Sequence, residues 1–163
     1  MSIKIKKMIK TRSLAATVLA IVLFTGCSAL IGEEIGRLPI NQVSLEGEDL
    51  IIKEISLDLK KDEKIAIWSE MDIVYEGDVE LRFIIEILKD AEDFDVLEID
   101  PREKNVTIGE RKTSVMDKTD WSFTGKNSGI TIEEDGNYTF RGILVASDNP
   151  TLKVNKAEIV LKK

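Results

Sequence analysis

The chain has 163 residues, with 23 Lys or Arg against 30 Asp or Glu and a formal charge of −7; it has no histidine and one cysteine. That composition rules out the Ser-His-Asp arrangement, removes the commonest general base and most zinc sites, and leaves no second thiol for an internal disulfide. Its acidic balance is opposite to what a phosphate backbone attracts, so nucleic acid is not an expected partner. At this length one domain is expected, and a domain near 150 residues buries about 68–70% of its unfolded surface, enough for a proper core.

The chain begins with a basic segment. Lys4, Lys6, Lys7, Lys10 and Arg12 stand with no acid among them, and the apolar run "LAATVLAIVLFTG" follows over residues 14–26. A membrane-spanning helix needs about 20 apolar residues, so this run is short for a span. A basic start, a short apolar core and small residues at its end are the pattern of a secretory signal. The closing "FTGC" resembles the lipobox of bacterial lipoproteins, with Phe24 where Leu is usual. That resemblance covers residues 1–27 and implies that residues 1–26 are removed and that Cys27 is acylated. It implies no role for Cys27 as a nucleophile or a structural thiol. Two other readings of Cys27 stay open: a chance residue in an ordinary signal peptide, or one in an N-terminal anchor helix. Each buried acyl CH₂ adds about 0.8 kcal/mol of membrane affinity, so two or more chains anchor stably. Ser28 after Cys27, in place of the Asp that retains lipoproteins in the inner membrane of enteric bacteria, favours the outer membrane.

Without residues 1–26 the chain has 137 residues, 18 basic and 30 acidic, for a charge of −12. Such a surface keeps a protein soluble and does not favour lying on anionic lipid. Residues 27–41 read as the lipidated cysteine and a tether. Ile31, Ile35, Leu38 and Ile40 leave open a short helix or a first strand within it.

From residue 42 to 163 the pattern has a period of two. Ile55, Leu57 and Leu59 alternate with polar residues. So do Ile65, Ile67, Met71, Ile73 and Tyr75, with Trp68, Glu70 and Asp72 on the opposite face. The same holds for Val79, Leu81, Phe83, Ile85 and Ile87, then Tyr138, Phe140, Leu144 and Ala146, then Ala157, Ile159 and Leu161. Alternation of this kind marks half-buried strands. Turn signals recur between the runs, sharpest at Asp135–Gly136 and Asn149–Pro150. The expected fold is therefore all-β: one antiparallel β-sandwich, jelly-roll or immunoglobulin-like, of about eight to ten strands. The order of long strands, irregular middle and closing strand over residues 50–163 resembles jelly-roll modules of the carbohydrate-binding type. Residues 100–128 read as long connections holding two short strands, near Val106–Ile108 and Trp121–Phe123.

The chemistry is sparse. No phosphate loop and no G-x-S-x-G occurs, and no enzymatic activity is expected. The run "KDAEDFDVLEIDP" reads as an acidic loop. Asp90, Asp93 and Asp95 would hold a structural calcium only if they converge, since calcium takes six to eight oxygens. Trp68, on the strand face opposite the isoleucines, and Trp121 are the candidate ligand- or partner-binding residues, because exposed aromatics anchor sugars and protein partners. Two functions stand as expectations. One is a non-catalytic, lipid-anchored envelope protein that binds or assists another envelope protein. The other is a carbohydrate-binding module, with or without calcium.

Overall fold

Residues 31–44 and 50–163 are described by the computed structural model of the chain; the proposed signal and Cys27 lie outside them. A boundary between compact units falls after Glu33, and the second unit is Glu34–Lys163. The described residues of this unit form strands and no helix: β1 Glu34–Pro39, β2 Val43–Ser44, β3 Lys53–Leu59, β4 Lys64–Glu76, β5 Leu81–Lys89, β6 Glu92–Ile99, β7 Val106–Val115, β8 Lys118–Thr131, β9 Gly136–Ala146 and β10 Lys153–Lys162.

The strands make two packed sheets. The first runs β1-β10-β4-β8-β7; the second runs β9-β5-β6, with β3 and the short β2 both on the far edge of β9. All pairings are antiparallel except β2 with β9. The all-β sandwich expected from the alternation is what forms. Leaving aside β2 and β7, the order 1-10-4-8 facing 3-9-5-6 is that of a jelly roll, in which two Greek keys wrap two four-stranded sheets. This selects the jelly roll over the immunoglobulin arrangement and makes β7 an addition outside β8.

Period-two side chains fill the space between the sheets. Ile65, Ile67, Met71 and Ile73 of β4 meet Phe83, Ile85 and Ile87 of β5, Tyr138, Phe140 and Leu144 of β9, and Ile159 and Leu161 of β10. Most of these are all but inaccessible to water. Burying each such side chain contributes about 1.5–3 kcal/mol before conformational entropy is subtracted. Gly142 sits between Phe140 and Leu144 because the core needs its missing side chain: a Cβ there would lie 2.8 Å from Ile159 Cδ1 and 3.3 Å from Leu38 Cδ1.

One segment settles an open reading and two depart from the expectation. Residues 27–41 include β1, one of the two readings left open there, and β1 pairs with the closing strand β10. The acidic run is not a loop. Asp90 and Ala91, at φ 51° and 70°, form a two-residue turn, the geometry that suits the twist of a tight hairpin, and residues 92–99 return as β6. Residues 100–128 hold a long hairpin rather than two short strands, with β7 and β8 joined through Met116 and Asp117. In both cases the signal was missing for the same reason. β6 is exposed over most of its length and β7 at every residue, so neither buries a face that would impose alternation.

Candidate functional site

The outer face of the first sheet is built by the even positions of β4 and their partners. Glu70 and Asp72 point away from the isoleucines, as alternation predicted. Register then sets Glu70 opposite Glu158 of β10 and Thr124 of β8. Three carboxylates gather here, and Arg37 of β1 reaches across to bind them. Its Nη1 and Nη2 donate to Glu70 Oε2 at 3.0 Å and Oε1 at 3.2 Å, its Nε and Nη2 donate to Glu34 at 2.9 and 2.7 Å, and it also pairs with Glu158. Lys156 adds a second cation on Glu70 and Glu158. A bidentate Arg–carboxylate fork is the strong form of ion pair. The Arg37 fork, helped by Lys156, draws the Glu70 carboxyl down to about 2 against the cost of its partial burial. Hydrogen bonds to Glu34 and Glu70 hold the Arg37 guanidinium above its usual range. The network ties β1, β10 and β4 together across the face.

Beside the network lies a shallow hollow of about 570 Å³ whose walls include Glu70, Asp72, Arg111, Ser122, Thr124 and Lys156. Its lining mixes charges of both signs and hydroxyls with the apolar Met71, Ile108 and Phe123. Trp68 also belongs to this outer face, as expected, but it is 4% exposed, with the Lys162 ammonium 4.5 Å from its ring centre. Its Nε1 has no hydrogen-bond partner among the described residues, and it does not line the hollow.

Trp121 was expected to be a binding residue, and the structure gives it a different place. It lies on the inward face of β8, is 8% exposed and belongs to the core. Its Nε1 donates to Glu110 Oε1 at 2.7 Å, Phe123 packs against it at 5.0 Å, and the ammonium groups of Lys112 and Lys104 sit 4.2 and 4.9 Å from its ring centre. Lys104 is the key to this corner. Its side chain is 7% exposed, its Nζ is 3.9 Å from the Phe123 ring centre, and it donates to Glu110 Oε1 at 3.1 Å. The Lys104 and Trp121 donors hold the Glu110 carboxyl below the usual range. Gly125 makes room for the lysine stem, since a Cβ there would lie 2.6 Å from Lys104 Cγ. The connection from β6 to β7 that carries Lys104 is fastened by Asn127, the extra residue of a bulge in β8. Its Nδ2 donates to Pro101 O at 3.1 Å and Glu103 O at 2.7 Å.

Asp90, Asp93 and Asp95 are not all brought together. Asp90 Oδ1 accepts from the Asn137 backbone N–H at 3.1 Å, and Asp95 Oδ1 accepts from the Val96 N–H at 2.8 Å. Asp93 and Asp95 flank a bulge at Phe94, where the pairing with β5 slips. Among the described residues no group of three or more His, Cys, Asp or Glu side chains is placed to hold a metal ion. Asp90 and Asp93 line one hollow with Glu92, Glu133 and Glu134, but Asp95 does not join them, and the convergence on which the expected calcium site depended is not seen among the described residues.

Sequence reasoning missed the Arg37 network, Lys104 and the β7 edge. Alternation did place Glu70 on the outer face. Which cation it meets depends on register between strands far apart in the chain, and no local pattern encodes that.

No family model matches the chain, no curated protein matches it, and no solved structure matches it.

Proposed function

We propose that this chain is a lipid-anchored protein of the bacterial cell envelope, held to the membrane through acylated Cys27. Its non-catalytic β-sandwich binds another envelope protein as an accessory subunit. The anchor rests on the lipobox-like "FTGC" and the basic, short apolar run before it. The outer membrane is the favoured location, from Ser28.

One observation carries the binding half of this reading. The two sheets end in strands, β6 and β7, that among the described residues have a neighbour on one side only and keep apolar residues in water. Val96 is 63% exposed on β6; Val106, Ile108 and Val115 are 48, 38 and 65% exposed on β7. Soluble proteins usually blunt or cover such edges, because free backbone donors and acceptors recruit other strands. A second reading, a carbohydrate-binding module, is favoured by the hollow on the outer face of the first sheet, whose wall mixes charged and hydroxyl side chains with apolar ones. The hollow has no tryptophan in its wall, which leaves a sugar ring without the stacking surface expected of Trp68 or Trp121.

Affinity capture from detergent-solubilised native membranes, with tagged full-length chain and a Val96→Lys variant, tests the partner. A stoichiometric protein lost with Val96→Lys supports the reading. One captured equally by both places the interface elsewhere. No protein, together with retention on polysaccharide, makes it a glycan module. For the anchor, Cys27→Ala should leave the membrane fraction; unchanged fractionation removes the lipid from the account.

A further inference from the structure

We propose that β7 pairs antiparallel with β7 of a second copy of this chain, about a two-fold axis at Arg111, so that the two first sheets join into one sheet of ten strands. The proposal goes beyond the accessory-subunit reading, because it assigns one of the two open edges, β7, to a second copy of this chain and leaves β6 to the other protein.

The strand itself carries the argument. β7 lies outside the jelly roll, pairs among the described residues only with β8, and exposes all ten residues. Such an edge accepts any strand whose side chains suit it. At Gly109, φ 69°, the register with β8 shifts between Ile108 and Glu110, so Gly109 is a bulge residue that resets the alternation. The remaining nine positions read V-T-I-E-R-K-T-S-V. In chemical terms this is a palindrome about Arg111. Antiparallel pairing with its own copy sets Val106 opposite Val115, Thr107 opposite Ser114, Ile108 opposite Thr113 and Glu110 opposite Lys112, each twice. The bulge keeps these pairs on matching faces: Val106, Ile108, Arg111, Thr113 and Val115 outward, Thr107, Glu110, Lys112 and Ser114 inward. Directly opposed apolar, hydroxyl and opposite-charge pairs are the stabilising units of a sheet.

The single like pair is Arg111 with itself. Its guanidinium is turned towards Asp120 on its own β8, Nη2 to Oδ1 at 3.7 Å, which offsets the repulsion. Sliding the axis to Thr113 would oppose Lys112 to Ser114 and leave Glu110 with its own Lys104 but no cation from the second copy, so the charges favour the register centred on Arg111. β6 cannot pair with its own copy in this way, because it carries Glu92, Asp93, Asp95 and Glu98 and no basic residue. A pairing through one strand buries less than the standard protein interface of about 1,600 Å². The dimer is therefore weak in solution and gains from two anchors confined to one membrane.

The test is disulfide capture in membranes that hold the full chain. In the pairing, the two Arg111 Cα atoms face each other at about 4.5–5.5 Å, within the roughly 4.4–6.8 Å span of a disulfide. Arg111→Cys should therefore give a cross-linked dimer under mild oxidation. The chain carrying only its native cysteine should not. Met116→Cys is the control. Met116 is 98% exposed, but the two copies would lie about 34 Å apart at about 3.4 Å per residue. Adding Lys112→Glu, which opposes Glu110 to a second acid, should cut the Arg111→Cys yield at least tenfold. Sedimentation in density-matched detergent should show Arg111→Thr dimerising several-fold more tightly than the native chain, because the like pair is gone. Absence of the Arg111→Cys dimer, equal yield from Met116→Cys, or indifference to Lys112→Glu would each overturn the proposal. None of these outcomes alters the β6-dependent capture that tests the accessory reading.

Discussion

Replacing Glu70 by Gln isolates the charge at the centre of the outer-face network while keeping the shape of the side chain. In the folded protein the Arg37 fork and Lys156 draw the Glu70 carboxyl down to about 2 from an ordinary 4.5. A carboxyl with a depressed pKa stabilises the fold above its unfolded pKa and loses that contribution as pH falls through the folded value. The window for Glu70 is therefore about pH 4.5 down to 2. At about 1.4 kcal/mol per pH unit, the ceiling is about 3 kcal/mol. Glu70 is partly hydrated and its partners are too, so solvent screening reduces this to about 1–2 kcal/mol. The assay is urea unfolding of the native chain and Glu70→Gln at intervals from about pH 7 to pH 2, the range that brackets the linkage. Other lowered carboxyls, including Glu34 and Glu110, titrate in both proteins and largely cancel in the difference. At neutral pH the variant should be less stable by about 1–2 kcal/mol. Arg37 keeps Glu34 and Glu158, so no charge is orphaned. The gap should close as pH falls from 4.5 towards about 2. A gap that stays constant across that range, or widens, would refute the account of the network as charge stabilisation.

Two further substitutions probe the layers beneath. Ile73→Ala empties a core position with 0% exposure and should cost about 2–5 kcal/mol, read as a lower urea midpoint at unchanged slope. Lys104→Met keeps the apolar stem over Phe123 and Trp121 but removes the ammonium; it should cost about 0.5–2 kcal/mol and shift Trp121 fluorescence. A Lys104→Met protein as stable as the native chain would show the cation to be dispensable and the stem alone to close the corner.

The strands that bury a face were legible in the sequence, because burial on one side forces period two. β4, β5, β9 and β10 carry that signature, and their inward residues are the observed core. Turn chemistry marked Asp135–Gly136 and Asn149–Pro150 for the same kind of local reason. β6 and β7 escaped because a strand wet on both faces is under no such constraint, and charge density then reads as loop. The burial of Trp121 was not legible because its neighbourhood is polar in sequence, while its ring turns inward beneath a lysine supplied by the β6–β7 connection. The Arg37 network, the bulges at Asn127 and Gly109 and the chemical symmetry of β7 are all matters of register. Local sequence sets which residues can form a strand and which face is apolar. Only the tertiary structure decides which strands lie side by side, and hence which charges meet and which edges remain open.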